Sequence, residues 1–381
     1  MLIPNWITAN QELRPIGLDI GHRSLKMVQL AVGAGRAKVL AVRRAPIEVG
    51  LPYDSEERRQ SIVATIRRLL AEGPFQGPQA VCALPVDKVR ITSLRLSEEE
   101  ADQAERLLRR EAAERFDLDP ARSTVNYLLA GSVRQGDEVK NEYILFAVDQ
   151  DTVEDRIRLL EEAGLTPTAL DAAPCALFRA FERTMRRQSD RERTIIFVDV
   201  GYRYTAVVFG RGGEISFVKQ IPIGMGQFDD EVAAALEISG REAESFRFRL
   251  QRDEAIDAET RRHVVDALNV TAEQLAGEIA LCLRYYTVTF RGKRVEQALV
   301  AGGGAYQEIL RDVLRRHLSV DVQVGEPLRG FEVPPDPLGP DGSSGVADLA
   351  LAVGLSLKGW DPGSAEGEAT AKAAAAEEAG V

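Results

Sequence analysis

The sequence predicts an α/β protein made of two similar halves, with a smaller block inserted into the first half. The main observation is a repeated pattern: an apolar run that ends in Asp-x-Gly, a turn of four residues and a second apolar run occupy residues 16–30 and again residues 195–209. Each copy predicts a β-hairpin that opens one half. The copies match position by position, with Asp19 corresponding to Asp199, Gly21 to Gly201 and Arg23 to Arg203.

After the first hairpin, residues 38–46 are predicted to form a third strand. Apolar residues at helical spacing then cover residues 55–72, where Ser55 is a suitable N-cap and Gly73 with the proline after it a suitable end. Three strands followed by a helix are typical of a ribonuclease-H-like half.

A further block of elements interrupts this first half. The predicted elements are a strand at 89–96, a charged helix from the capping box at Ser97 to about 116, strands at 124–130 and 142–148, and a helix at 151–163 that ends at Gly164. Because the elements of the first half resume only near residue 168, we interpret this β-α-β-β-α block as an inserted subdomain.

The second hairpin opens the second half. Its later elements are predicted as a strand at 213–223, helices at 241–251 and 271–286, a strand at 295–301, a helix at 306–317, a strand at 320–324 and a last apolar helix at 347–357. We therefore predict an N-terminal arm at 1–14, a first half at 15–80 completed by 166–190 and 345–360, an inserted subdomain at 81–165, a second half with its small subdomain at 191–344, and a disordered tail at 361–381.

Composition excludes several classes of protein. A net charge of −11 over 381 residues argues against a nucleic-acid partner. The three cysteines are scattered without C-x-x-C spacing, which fits a reducing compartment and no structural zinc. The N-terminus has no pattern of a signal peptide, and no apolar run of 18 residues occurs. We expect a cytoplasmic protein that meets a membrane only indirectly.

The two turns are candidates for binding a polyphosphate. Glycine at the start of each turn lets backbone N–H groups face an anion, and the preceding Asp19 and Asp199 can hold a hydrated magnesium ion. A third signal is the strand that runs into Gly302, Gly303 and Gly304. Glu244 and Arg247 lie on one predicted helix face, a placement that suits a ribose hydroxyl and an adenine.

Several ordered blocks together resemble the actin-like ATPase superfamily, and within it the type IV pilus assembly protein PilM family, with the cell-division protein FtsA as a cousin. They are Gly17-Leu-Asp-Ile-Gly, Arg110-Glu-Ala-Ala-Glu-Arg-Phe, Phe197-Val-Asp-Val-Gly, Ile221-Pro-Ile-Gly, Glu242-Ala-Glu-Ser-Phe-Arg and Ala301-Gly-Gly-Gly-Ala. The resemblance covers about residues 15–360. It implies an actin-like ATPase fold and a cytoplasmic scaffold of a type IV pilus or type II secretion-like machine. The scaffold would dock the cytoplasmic tail of a PilN-like inner-membrane protein, and self-association is open.

The resemblance also implies that the chain binds ATP and Mg²⁺. The implied nucleotide-binding residues are Gly21, His22, Arg23, Ser24, Lys26, Gly201, Tyr202, Arg203, Tyr204, Thr205, Gly226, Glu244, Arg247, Gly302, Gly303 and Gly304, and the implied metal residues are Asp19 and Asp199, which would act through water. No residue stands out as the one that would position an attacking water, so we expect at most a slow ATPase.

This chain departs from the family pattern in both turns, where the family usually has small residues. His22 and Arg23 occupy the first turn, and Tyr202, Arg203 and Tyr204 the second. Bulky side chains there could occlude the phosphates, Arg23 and Arg203 could offer the phosphates hydrogen bonds, or both arginines could point to solvent. The alternatives therefore include a nucleotide-free adaptor of the same fold, a small-molecule kinase and an FtsA-like membrane anchor. The kinase is disfavoured because the inserted block carries no obvious general base, and the anchor because the tail is too acidic.

Overall fold

The computed structural model describes residues 11–33, 36–48, 50–185, 193–290, 294–333 and 345–360. The predicted tail at 361–381 and most of the predicted arm at 1–14 lie outside these ranges. Among the described residues, no helix combines the length and the apolar character needed to cross a bilayer.

The first half is built on a twisted sheet whose strands come from distant parts of the chain. In chain order, its elements and those inserted into it are β1 (Gln11–Leu13), β2 (Ile16–Ile20), β3 (Ser24–Gly33), β4 (Arg36–Pro46), α1 (Glu56–Glu72), β5 (Gln79–Ala83), β6 (Arg90–Ser97), α2 (Ala104–Phe116), β7 (Ser123–Gln135), β8 (Glu138–Asp149), α3 (Gln150–Glu162), β9 (Thr166–Asp171) and α4 (Ala173–Glu182). The main strand order is β4-β3-β2-β5-β9, with β2 antiparallel to β3 and parallel to β5. The short β1 continues the edge of β3 beyond β2.

The second half repeats this topology. Its elements are β10 (Thr194–Val200), β11 (Thr205–Arg211), β12 (Glu214–Ile221), α5 (Met225–Leu236), α6 (Gly240–Gln251), α7 (Ala258–Thr289), β13 (Val295–Ala301), α8 (Glu308–Leu318), β14 (Asp321–Val324) and α9 (Ala350–Ser356). The strand order is β12-β11-β10-β13-β14, again third, second, first, fourth and fifth. The hairpins are antiparallel and the outer pairs parallel, as in the first half. The duplication predicted from the two hairpins is therefore confirmed.

The inserted elements form a separate three-stranded antiparallel sheet of order β6-β8-β7, with α2 packed on it. Strand β5 pairs within the first sheet, and α3 packs its Leu159 and Leu160 into the core around α1. The inserted sheet also contacts the second half, because β7 lies against β12 and the Tyr285 hydroxyl is 3.5 Å from a Glu142 oxygen. This sheet therefore touches both halves.

Helices α4 and α9 pack against each other between the two main sheets. Their contact is very close: a Cβ added at Gly354 on α9 would lie 1.8 Å from the Ala176 carbonyl oxygen on α4. On its other side α9 presses on β2, where a Cβ at Gly17 would lie 2.0 Å from the Ala352 oxygen. Glycine at both positions is thus required by backbone approach rather than by backbone dihedral angles.

Most predicted elements are present, and the differences have local causes. The capping box at Ser97 forms, with Glu100 accepting from the Ser97 backbone N–H, but β6 extends to Ser97 and the α-helix begins only at Ala104. Helix α7 starts at Ala258, well before the predicted 271. Its N-cap Asp257 accepts from Thr260, and the charged first turns obscure the apolar period in the sequence.

Candidate functional site

The two turns face each other across a cleft between the halves. This cleft has a volume of about 470 Å³. The first turn joins β2 to β3, and the second joins β10 to β11, so each side of the cleft begins with the same hairpin. Gly302 and Gly303, directly after strand β13, add to the wall, and α6 adds Glu244 and Arg247.

The two turns have the same hydrogen-bond pattern. The Gly21 N–H donates to the Ser24 carbonyl over 3.0 Å, and the Gly201 N–H donates to the Tyr204 carbonyl over 3.0 Å. A Cβ at either glycine would lie within 3.0 Å of that same carbonyl oxygen, so the tightness of each turn requires glycine. These two amides close the turns themselves, so the glycine N–H groups are not among the backbone donors that could face an anion.

The floor of the cleft carries three carboxylates and two basic groups. Lys26 Nζ lies 3.0 Å from Asp19 Oδ2, and Arg44 Nη2 lies 2.8 Å from Asp348 Oδ1. Asp199 stands opposite the small Ala206 across its hairpin, where Asp19 stands opposite Lys26. Within the part of the chain that the structure describes, Asp199 has no ion-pair partner.

This imbalance shifts two pKa values. Burial, and next the neighbouring Asp19 carboxylate, raise the pKa of Asp199 to about 7. Burial alone would lower the pKa of Lys26, but the carboxylates of Asp19 and Asp348 outweigh it and hold that pKa above its ordinary value. Lys26 is therefore a permanent cation beside a carboxyl group that is ready to lose a proton when a cation arrives.

A magnesium ion fits this floor through water rather than through a full set of protein ligands. Among the described residues, no group of three or more His, Cys, Asp or Glu side chains could hold a metal directly. A lone, poorly solvated carboxylate such as Asp199 gains from a nearby divalent cation, and Mg²⁺ commonly keeps several of its waters. The donor set is thus compatible with a hydrated ion.

Arg23 of the first turn reaches across the cleft to the second half. Its Nη2 lies 2.8 Å from Glu244 Oε2 on α6, and its guanidinium carbon lies 4.6 Å from the centre of the Tyr202 ring. We call Arg23, Tyr202 and Glu244 the clasp. It joins the first turn, the second turn and helix α6 through side chains alone.

His22 forms a second contact beside the clasp. Its ring stacks on Tyr53 with centroids 4.7 Å apart, and Tyr204 of the second turn lies 5.9 Å away. Burial lowers the pKa of His22 to about 4, with the Arg203 and Arg58 cations acting in the same direction. Its buried Nε2 has no hydrogen-bond partner among the described residues. His22 is therefore neutral near pH 7.

The triple glycine serves two purposes. Gly302 has a φ of +82°, and a Cβ there would lie 2.6 Å from Asp199 Oδ1, so this position fixes the strand end against the carboxylate. Gly303 is exposed, and a Cβ there would meet no atom within 4 Å. Gly304 packs against Val200 and Met225 behind the wall.

Arg247 is already engaged. Its guanidinium contacts both carboxylate oxygens of Asp229, at 2.6 and 3.3 Å, and the two side chains are 3 % and 2 % exposed. Asp229 keeps Arg247 in place at the edge of the cleft, where Glu244 lies 3.9 Å from its guanidinium and the centre of the Phe248 ring 4.5 Å away. The sequence singled out Arg247 but not the carboxylate that holds it.

The chain resembles known proteins in both sequence and fold. Residues 17–360 match the family model described as type IV pilus assembly protein PilM. The chain belongs to the PilM family. A solved PilM-PilN type IV pilus biogenesis complex contains a chain with 22 % identity and a TM-score of 0.75, covering 92 % of this chain and 99 % of that one. The ethanolamine utilization protein EutJ from Carboxydothermus hydrogenoformans is 18 % identical with a TM-score of 0.52, covering 91 % and 90 %. The predicted actin-like ATPase fold is confirmed.

In this PilM-family chain, most of the residues predicted for the site lie together. The cleft is lined by Asp19, Gly21, His22, Arg23, Ser24, Lys26, Asp199, Gly201, Tyr202, Tyr204, Glu244, Arg247, Gly302 and Gly303. Four predicted residues do not line it. Arg203 is exposed, Thr205 is buried and donates to the Ile223 carbonyl, the Gly226 N–H donates to the Tyr202 carbonyl, and Gly304 lies behind the wall.

The cleft of this PilM-family chain also contains residues that sequence reasoning missed: Arg44, Tyr53, Phe248, Asp348 and Leu351. For Asp348 a signal existed, because it is the one charged residue in the apolar run 346–357. Arg44 is opposite Lys26 in the β3–β4 register and could have been placed from that pairing.

Proposed function

We propose that this PilM-family chain is an ATP- and magnesium-binding cytoplasmic scaffold of a type IV pilus or type II secretion-like assembly machine. It would be held at the inner membrane through a PilN-like partner. Membership of the PilM family supports the assignment to a type IV pilus assembly machine. The single observation that carries the nucleotide is the pair of matching turns across one cleft, with the lone Asp199 on its floor.

The proposed arrangement assigns each group a task. The phosphates would be bound between the turns near Lys26, whose charge is permanent, and Asp199 and Asp19 would hold a hydrated Mg²⁺, which would neutralise part of the phosphate charge. Glu244 holds the ribose, and Gly303 leaves room for a flat ring. Of the implied residues that do not line the cleft, Thr205, Gly226 and Gly304 support the turns and the wall rather than contact the ligand, and Arg203 is exposed.

The geometry favours slow chemistry at most. A hydrolytic site needs a group that orients a water in line with the terminal phosphate. Asp19 is already paired with Lys26, and Arg247 with Asp229. We therefore assign nucleotide the task of setting the angle between the halves rather than that of a substrate turned over rapidly.

For the partner, we propose a groove of about 670 Å³ beside the inserted sheet. Tyr127 and Leu129 on β7 are 38 % and 52 % exposed there, and together they add apolar surface to one wall of the groove. The groove also includes Phe178 on α4 and Ile215 on β12. An apolar groove of this kind suits a short peptide such as the cytoplasmic tail of a PilN-like protein, and PilN is the partner of the similar solved PilM.

The groove and the cleft share structural elements, which supports coupling between them. Arg179, which lines the groove, donates to the Gly354 carbonyl on α9 over 2.8 Å. Leu351 on the same helix lines the cleft. A change of angle between the halves therefore moves walls of both sites.

The nucleotide is tested by thermal unfolding with and without millimolar MgATP. Because a ligand at 100 times its dissociation constant stabilises the folded state by about 2.7 kcal/mol, binding raises the melting temperature. The Asp199→Ala variant should lose the magnesium-dependent part of that shift. A shift that persists unchanged in Asp199→Ala places the ligand elsewhere.

The partner is tested with a fluorescent peptide from the cytoplasmic N-terminus of a PilN-like protein. Leu129→Glu should weaken its binding by about tenfold or more, because burying the new charge in the groove is unfavourable. Val139→Glu is the matched control, since Val139 is an exposed apolar residue of the same hairpin and does not line the groove. Equal affinities for the two variants would exclude the groove.

A second candidate function, a nucleotide-free adaptor, is favoured by the clasp. Arg23 and Glu244 bind each other across the cleft, so the halves are joined without any ligand. In this alternative the peptide binds with full affinity and MgATP produces no thermal shift. The two measurements above therefore separate the candidates.

A further inference from the structure

Arg44 is a largely buried cation whose hydrogen-bonding capacity is only partly used. Its Nη2 donates to Asp348 Oδ1 and to the Gly345 carbonyl, both at 2.8 Å. Its Nε and Nη1 are buried and have no partner among the described residues, although the side chain is only 10 % exposed. A guanidinium offers five N–H donors, and leaving such donors unpaired inside a protein is costly.

The position of Arg44 in the cleft indicates that its unpaired donors serve to bind an anion. The β3–β4 register sets Arg44 opposite Lys26, and the β2–β3 register sets Lys26 opposite Asp19. Residues directly opposite in antiparallel strands share a face, and all three line the cleft. Two strand positions beyond Arg44, Pro46 pairs with Ser24 at the end of the first turn. Arg44 is therefore on the floor, next to the turn.

Local charge explains why Arg44 has capacity to spare. Lys26 is matched by Asp19, and Asp348 is matched by Arg44 through one nitrogen. Asp348 is also close enough to raise the pKa of Asp199. The guanidinium thus shares Asp348 with the floor of the cleft through one nitrogen, and its two further donor groups are unpaired among the described residues.

We propose that Arg44 is a further phosphate-binding residue of the cleft. Asp348 holds it through Nη2, and Nε and Nη1 donate to oxygen atoms of the polyphosphate. The proposal rests on the proposed nucleotide function for ATP itself, but the chemistry it names is that of any polyphosphate. Arginine suits this task because it keeps its charge when buried and can bind phosphate through several donors.

The test measures binding of ATP, tripolyphosphate and adenosine, each with Mg²⁺, by calorimetry. Arg44→Gln should weaken ATP and tripolyphosphate by about tenfold or more and adenosine by less than about threefold. The matched control is Arg43→Gln, because Arg43 is the next residue on β4 and hydrogen-bonds instead to the Val42 and Glu72 carbonyls. Asp348→Asn, which keeps the guanidinium and an acceptor for it, should retain most of the affinity.

Each outcome separates this inference from the proposed function. If the wild type binds ATP and Arg44→Gln binds it equally well, the inference about Arg44 is wrong and the nucleotide proposal stands. If the wild type binds tripolyphosphate but not ATP and Arg44→Gln loses it, the inference stands and the nucleotide proposal is wrong. Equal losses for adenosine and ATP indicate a purely structural role and overturn the inference. Absence of all binding overturns both. Arg44→Lys, with the charge kept, replaces Arg44→Gln if the latter fails to fold.

Discussion

The clasp predicts a measurable coupling between the two halves. Arg23 Nη2 and Glu244 Oε2 are 2.8 Å apart, and the side chains are 22 % and 27 % exposed. The pair is therefore more sheltered than surface pairs, which contribute about 0.2–1 kcal/mol, and less desolvated than buried pairs. We expect a coupling free energy of about 1 kcal/mol, at the upper end of the surface range. Arg23→Ala should cost about 0.5–1 kcal/mol more, because it also removes the stacking on Tyr202.

The assay is a double-mutant cycle with Arg23→Ala and Glu244→Ala, followed by urea unfolding at low salt, because urea does not screen charges. Glu244→Ala should destabilise the wild type by about 1 kcal/mol and have almost no effect in the Arg23→Ala background. The exposed pair Arg68–Glu72, one helical turn apart on α1, is the control, with an expected coupling of about 0.3–0.5 kcal/mol. Additive effects of Arg23→Ala and Glu244→Ala would refute the clasp.

Three further outcomes follow from the site and the interface. Asp199→Asn should be more stable than the wild type at pH 8 by on the order of 2 kcal/mol. The pKa of the Asp199 carboxyl is raised from 3.8 to about 7 on folding, so the folded state binds more protons and wild-type stability falls as pH rises from 4 to 7. Urea unfolding across that pH range should show this slope in the wild type and its loss in the variant. His22→Phe keeps an aromatic ring on Tyr53 and should remove the loss of stability that the wild type shows as pH falls from 6.5 to 4. That loss arises because the unfolded histidine takes up a proton, whereas the folded histidine, with a pKa of about 4, resists protonation. Melting temperatures of both proteins at pH 5 and pH 8 measure the difference. Gly354→Ala should cost on the order of 3 kcal/mol or more, since its methyl group would overlap the Ala176 carbonyl, and a melting temperature unchanged from that of the wild type would contradict the packing of α4 on α9.

The hairpins could be predicted from sequence because their determinants are local. Two apolar runs, an Asp-x-Gly and a short turn define β2–β3 and β10–β11 within 15 residues each. Once the duplication is recognised, the position of Asp19 and Asp199 at equivalent strand ends follows. The close approach of glycine to the turn carbonyl, which uses up the glycine N–H, depends on turn geometry that the residue pattern alone does not specify.

Side-chain partners from distant parts of the chain were beyond sequence reasoning. Arg44 and Asp348 are 304 positions apart, and Arg23 and Glu244 are 221 apart. Both pairs exist because the halves fold against each other. The sequence assigned Arg23 to a phosphate turn and Glu244 to a ribose, and the fold places the two side chains in contact, because the long arginine side chain spans the gap between the turn and α6.

The groove beside the inserted sheet has walls from three parts of the molecule. Tyr127 and Leu129 belong to the inserted sheet, Phe178 to the helix between the halves, and Ile215 to the second half. A membrane-anchored chain bound there would contact all three parts of the molecule at once. Mechanical tension on that chain, as from a growing or retracting fibre, would change the angle between the two halves. Force transmitted through the partner and ligand binding in the cleft would then act on the same conformational change.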